Sequence, residues 1–305
     1  MGNDRRRDRG IAKSKGMNEN ANIDYGFFGS STFSVYVLDK MKQAGLKPSV
    51  IITTPDKPQG RSLKIEPNIV KKWAISNSIP VLDPAKLDSG FIENVSTYNF
   101  SVFIVASYGK IIPEAVLELP KNKTLNIHPS LLPLYRGPSP LQSAILDDEK
   151  NTGVSIMRID KEMDHGPIVA QKNISIHEWP TYEEFEKRMA EEGADLLAKI
   201  LPDWISGKIK EVPQDHSKAT FTKKISKEQA LVDLNLDPRK NFLKIQAFHE
   251  WPQAHFFSEK SGKKVRVKIT KASYENGVLT IEKVIPEGKK EMAYSDYLKG
   301  MRNEE

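Results

Sequence analysis

The chain has 305 residues, 38% hydrophobic and 28% charged, which is long enough for two modules that each bury a core and too polar for a membrane protein. Its longest apolar runs are strand-sized, against the roughly 20 residues a bilayer-crossing helix needs. The complete lack of cysteine excludes disulfides and thiolate metal sites and fits a reducing, cytoplasmic setting. The net charge of +6 is uneven: residues 1–16 carry +4, residues 17–205 carry −4 and residues 206–305 carry +6, the pattern of an acidic body with a basic module suited to a polyanion.

Residues 1–22 are rich in Arg, Asn and Gly and without periodicity, which predicts a disordered basic arm; no apolar core follows its charges, so no signal peptide is expected, and Met17 offers an alternative start. From residue 25 a strand, a helix capped near Ser31 and running to about Gly45, and a strand at 49–53 form a βαβ opening without a Gly-x-Gly-x-x-Gly turn, which counts against a dinucleotide. Residues 54–68 make a long Pro/Gly-punctuated loop carrying Lys57, Arg61 and Lys64, and loops of that length are usually functional. A helix over 69–77, a short strand at 80–82, a helix over 89–98 and strands at 101–106 and 124–128 continue the alternation, which predicts a mostly parallel sheet. A strand over 153–159 precedes an amphipathic helix over 181–201, whose Tyr182, Phe185, Met189, Leu196 and Leu197 are core positions. We therefore expect a catalytic domain over 23–205 and a linker over 206–222, whose Lys208, Lys210 and Lys218 also suit a phosphate backbone. Residues 223–305 should form a smaller domain, with a helix over 238–248, a Phe248–Pro252 aromatic corner and short strands at 254–258, 265–271 and 277–284.

The chemistry concentrates at Leu125-Asn126-Ile127-His128-Pro129-Ser130-Leu131-Leu132-Pro133. Asn126 and His128 lie two apart in an extended run and so share one face of the strand. Pro129 ends that run, and strand ends are where open α/β sheets hold ligands. Asp164, in Met163-Asp164-His165-Gly166, follows the next predicted strand, which can bring it alongside. An amide, an imidazole and a carboxylate suffice for acyl transfer: a donor for a developing oxyanion, a group that titrates near neutrality to carry a proton, and an anion beside it. A metal site of His128, Asp164 and His165 is disfavoured by the lack of dense His/Glu spacing, and Ser130 lacks the Gly-x-Ser-x-Gly elbow of a nucleophile. Either Asn126 or His128 alone would more often be structural; the ordered string is what raises them to candidates.

That string resembles the Asn-x-His-Pro/Gly-Ser-Leu-Leu-Pro signature of the folate-dependent formyltransferases, continuing into Tyr135-Arg136-Gly137-Pro138 and Met163-Asp164-His165-Gly166. The resemblance implies an α/β, Rossmann-like catalytic domain in which Asn126, His128 and Asp164 are catalytic and 10-formyltetrahydrofolate is the co-substrate, with no metal. It places the folate at Ser130, Leu131, Leu132 and Pro133 and at the preceding segment containing Gly109 and Ile111. The loop Pro55-Asp56-Lys57-Pro58-Gln59-Gly60-Arg61 is similar to the one that members acting on initiator methionyl-tRNA insert into the acceptor stem, which implies tRNA binding by Arg61. Ile225-Ser226-Lys227-Glu228 and the Phe248–Pro252 corner resemble the oligonucleotide-binding-type (OB-like) barrel of those members, with Glu250 where a Pro is usual. Too few residues follow Val265 for five complete strands, so a shortened or open barrel is expected. The expected acceptor is initiator methionyl-tRNA for translation initiation, handled by a monomer. The alternatives are a small amine such as an amino sugar or glycinamide ribonucleotide, hydrolysis of the formyl-folate, or an inactive tRNA-binding relative.

Overall fold

The computed structural model describes residues 23–59, 64–260 and 262–302; the basic arm, Met17 and Arg61 lie outside them. The chain begins with β1 (Tyr25–Gly29), α1 (Thr32–Gln43), β2 (Val50–Ile52), a hairpin of β3 (Lys57–Gln59) and β4 (Lys64–Glu66), α2 (Ile69–Ser76), β5 (Val81–Leu82), α3 (Ser89–Ser96) and β6 (Val102–Ala106). It continues through α4 (Glu114–Leu117), β7 (Thr124–His128), α5 (Pro140–Leu146), β8 (Asn151–Arg158), β9 (Ile168–Ser175) and the long α6 (Tyr182–Ile205). The sheet runs β5-β2-β1-β6-β7-β8-β9. Its first five strands pair in parallel, whereas β8 is antiparallel to β7 and β9 to β8. The mostly parallel expectation thus describes the sheet up to β7 and the meander beyond it departs from that pattern.

Strands buried on both faces read as continuous apolar runs. In Val102–Ala106, Val102, Ile104 and Ala106 join one core with α1 and α6, while Phe103 and Val105 join a second with Phe28, Ile52 and Phe91. Leu125 and Ile127 of β7 belong to the first core, so Asn126 and His128 project to the opposite face. The seat of α6 on β7 is tight: a Cβ on Gly193 would lie 2.5 Å from Ile127 Cγ2. Ser31 caps α1 and Thr181 caps α6, each in a reciprocal capping box.

After α6 the chain passes through 206–237 to α7 (Pro238–Ala247), β10 (His255–Lys260), β11 (Lys263–Glu275), β12 (Val278–Pro286), β13 (Met292–Ala293) and α8 (Tyr294–Arg302). The four strands form an antiparallel sheet in the order β10-β11-β12-β13, and among the described residues no pairing of β10 with β13 closes it. This is the small β module in shortened, open form. Phe242, Phe248, Val267 and Val284 share one apolar cluster with Leu197 and Ile145, so the C-terminal module is packed onto the sheet domain through α7 and α5.

Candidate active site

Because β1, β6 and β7 run in parallel, their C-terminal ends share one edge of the sheet. Ser30, following β1, donates its hydroxyl to the carbonyls of Ser107 (3.1 Å) and Tyr108 (2.8 Å) and so fastens the segment after β6. Gly109 lies there with φ +75°, and Ile111 is 94% exposed at the same edge. Ser107, Tyr135 and Asp164 all have φ between +50° and +60°, a region that Asp tolerates and that Ser and Tyr enter at a cost, and all three sit on loops around this edge.

His128 is buried, and its Nε2 lies 3.0 Å from the Tyr135 carbonyl. A carbonyl only accepts, so Nε2 carries the hydrogen and Nδ1 is the ring atom left for other chemistry. Nδ1 faces Asp164 Oδ1 at 3.7 Å, beyond direct hydrogen-bond range, so the carboxylate attracts the ring only once Nδ1 has taken up a proton. The other oxygen of Asp164 accepts from the Gly137 N–H at 2.7 Å. Asn126 is half-buried two residues before His128, and among the described residues its carboxamide has no hydrogen-bond partner, leaving both N–H groups to donate.

The turn after His128 is fixed from beneath. Ser155 donates to the Ser130 carbonyl (2.6 Å) and accepts from the Leu132 N–H (3.0 Å), and Gln171 Nε2 donates to the Leu132 carbonyl at 2.8 Å. The Ser130 hydroxyl is buried and given to the Leu134 carbonyl at 2.6 Å, so Ser130 sets the shape of the turn and is not free to act as a nucleophile. Leu132 is buried, Leu131 and Pro133 are half-buried, and the Leu132–Pro133 bond is cis.

The stretch read as a linker builds a second wall of the site. Val212 exchanges two 2.8 Å main-chain bonds with Ile168, extending the edge of β9. Thr220 holds the Tyr135 N–H with its hydroxyl (2.8 Å) and the Arg136 N–H with its carbonyl (2.9 Å), and the Thr222 N–H donates to the Arg136 carbonyl at 2.7 Å. Arg136 is buried and gives its guanidinium to Gln214 Oε1 and His216 Nδ1, and the His216 ring stacks on His165 with centroids 4.0 Å apart. His165 is thereby occupied in that stack and in a 2.7 Å contact with Asp160. Tyr135, Arg136, Gln171 and Gln214 were not singled out from the sequence as site residues. Tyr135 works through its carbonyl, which no side-chain pattern reveals, and Gln214 stands in a polar run without periodicity.

A model of the formyl transferase family matches residues 25–201. The chain is 36% identical over 306 aligned positions to the methionyl-tRNA formyltransferase of Dictyoglomus turgidum, covering 90% of this chain and 96% of the relative. To the enzyme of the same name from a Sulfurihydrogenibium species it is 39% identical over 75% of this chain and 74% of the relative. Among solved structures, methionyl-tRNA formyltransferase from Clostridium thermocellum superposes with a TM-score of 0.59 at 17% identity, covering 87% of this chain and 99% of that one. The N-formyltransferase of Helicobacter canadensis, solved with folinic acid and dTDP-3-aminofucose, does so with a TM-score of 0.59 at 18% identity, over 89% and 99%. At those identities the likeness establishes a common fold.

Proposed function

The chain belongs to the formyl transferase family, and from that premise we propose that it transfers the formyl group of 10-formyltetrahydrofolate to the α-amino group of methionyl initiator tRNA. The observation that supports this most is the meeting of Asp164 with His128 at the C-terminal end of β7, on the strand face that also carries Asn126, because Nδ1 of His128 and Oδ1 of Asp164 come within 3.7 Å although the residues are distant in sequence. The folate supplies an activated formyl carbon. Asn126 then donates an N–H to the formyl oxygen as negative charge builds on it, a role that typically lowers a barrier by roughly 3 kcal/mol. Nδ1 of His128 takes the proton of the attacking amine and returns one to the departing nitrogen, and Asp164 offsets the positive charge that the ring carries in between. The Tyr135 carbonyl keeps the ring in the tautomer this requires. An α-amino group titrates near ~8, so enough is neutral for attack without a metal.

The chain's surfaces suit the folate. The braced turn of Ser130, Leu131, Leu132 and Pro133 has most of its main-chain groups committed and keeps the Leu131 N–H and the half-buried side chains of Leu131 and Pro133 for a flat heterocycle, and Gly109 and Ile111 supply an open main chain and an exposed apolar side chain across the same edge. For the acceptor, the family resemblance, the net charge of +6 over residues 206–305 and the lysine-bearing segment beside the site favour a tRNA over a small amine. Arg61 is assigned to tRNA by that resemblance alone. The test is formyl transfer from 10-formyltetrahydrofolate, run side by side with methionyl initiator tRNA and with an amino-sugar nucleotide. Transfer to the tRNA is expected; transfer to the sugar alone would replace the acceptor, and tRNA binding without turnover would make the protein an inactive relative.

A further inference from the structure

We infer that Gln214 is a positioning residue for formyl transfer, acting through Asp164. The inference rests on the proposed role of Asp164 and begins from a topological problem. β8 runs antiparallel to β7, so the chain leaves β8 beside the start of β7: the Ile159 N–H donates to the Thr124 carbonyl, at the end of that strand remote from His128. To face His128, the 159–167 loop must double back along β7. It does so with Asp164 at φ +53° and with Gly166 so close to Arg158 that a Cβ there would lie 1.9 Å from the Arg158 carbonyl oxygen. A loop bent in this way needs fastening at its tip.

Gln214 provides it. Its Nε2 donates to the carbonyls of Asp164 (2.9 Å) and Gly166 (2.7 Å), bracketing the turn. Its Oε1 accepts from Arg136 Nε (3.1 Å) and Nη2 (2.7 Å). Both side chains are buried, at 5% and 3% exposure, so each of these bonds is made away from water, where an unpaired partner is costly. Arg136 stands between Tyr135, whose carbonyl takes the His128 Nε2–H, and Gly137, whose N–H meets Asp164. One carboxamide therefore joins the segment that orients the imidazole to the loop that carries the carboxylate. Its polarity is required: an acceptor must face the guanidinium and a donor must face the two carbonyls. Glutamate has the same shape and keeps the first, with a stronger pairing to Arg136, but sets an oxygen against both carbonyls and loses the second.

That asymmetry gives the test. Gln214→Glu is expected to melt below the parent while still folding, to lower kcat of the folded protein by roughly 10- to 100-fold, to leave KM for methionyl-tRNA within about twofold, and to shift the pH–rate profile, since it moves a group beside the proton-carrying ring. A member that only braces the fold would change the melting temperature and leave the pH profile of the folded fraction untouched. Gln214→Ala, which introduces no charge, should change kcat in the same direction, and it decides the matter if the glutamate variant does not fold. In an Asp164→Ala background the Gln214→Glu change should cost less than about twofold, because the group it positions is gone. Normal kcat and pH profile in folded Gln214→Glu, or a full independent loss on top of Asp164→Ala, would overturn the inference. Normal turnover by Asp164→Ala alone would remove the underlying reading, and the role of Gln214 with it.

Discussion

The two ring nitrogens of His128 are committed differently, Nε2 to the Tyr135 carbonyl at 3.0 Å and Nδ1 towards Asp164 at 3.7 Å, and the proposed chemistry uses only the second. His128→Ala and Asp164→Ala should therefore each lower kcat by about 100-fold or more, in the range typical of lost proton transfer, with little change in tRNA affinity measured by filter binding. Asn126→Ala should cost about 100-fold in kcat, as for a lost oxyanion donor, and a variant retaining full turnover would exclude that residue. These three were legible in the sequence because each contributes a side chain, and two of them share a strand face by the i, i+2 rule. Tyr135 and the main-chain contacts of Thr220 were not, because they act through peptide groups that every residue possesses.

At the scale of elements, β7 is held from behind by α6, whose apolar period identified its core face in the sequence. Gly193 permits the close approach, with room for no Cβ beside Ile127 Cγ2 at 2.5 Å. Gly193→Ala should destabilise the fold by about 1–3 kcal/mol in a urea titration, as overpacking does, and an unchanged midpoint would show that α6 can shift freely. The direction of β8 was not legible, since an apolar run does not record whether its neighbour is parallel. β9 was missed because it is an edge strand whose apolar start gives way to Gln-Lys-Asn, reading Ile-Val-Ala-Gln-Lys-Asn-Ile-Ser, with no sustained alternation. A second element-level consequence arises where the Phe248–Pro252 corner meets α6 and α1. Partial desolvation, and then the hydrogen bond and charge of Glu183 and the charge of Glu186, push the carboxyl of the solvent-exposed Glu250 up to about 7 from its ordinary 4.5, with His249, Tyr182 and Tyr36 around the same cluster. A raised carboxyl holds its proton longer when folded, so its contribution to stability is full below about 4.5 and is lost as the pH rises through about 7. Glu250→Gln should accordingly raise the melting temperature well above pH 7 and leave it unchanged near pH 4.5; an equal shift at both would point to packing.

At the scale of the whole molecule, the C-terminal module is joined to the sheet domain by a shared apolar core and by ionic contacts, of which the closest is at Asp148. Arg239 on α7 makes a two-pronged contact with Asp148 after α5, at 3.0 and 2.7 Å, and Trp179 and Lys150 reach the same carboxylate. Burial pushes the Asp148 carboxyl up, but Arg239, Lys150 and Trp179 outweigh it and hold it down at about 2. A depressed carboxyl stabilises the fold above its ordinary 3.8 and loses that contribution as the pH falls through about 2. Asp148→Asn should thus lower the melting temperature at neutral pH, with the gap to the parent closing below about pH 3.8. The basic third and the small β module were legible from charge and strand lengths, whereas the role of the intervening segment was not. Gln214, Thr220 and Thr222 sit in a Pro- and Lys-bearing run that resembles any tether, and only their tertiary partners make them part of the site. The account as a whole is tested most directly by single-turnover formyl transfer from 10-formyltetrahydrofolate to saturating methionyl initiator tRNA, comparing the parent with Asp164→Ala. It predicts rapid transfer by the parent and a rate lower by about 100-fold or more in the variant at equal tRNA occupancy; equal rates in the two, or no transfer by the parent, would contradict it.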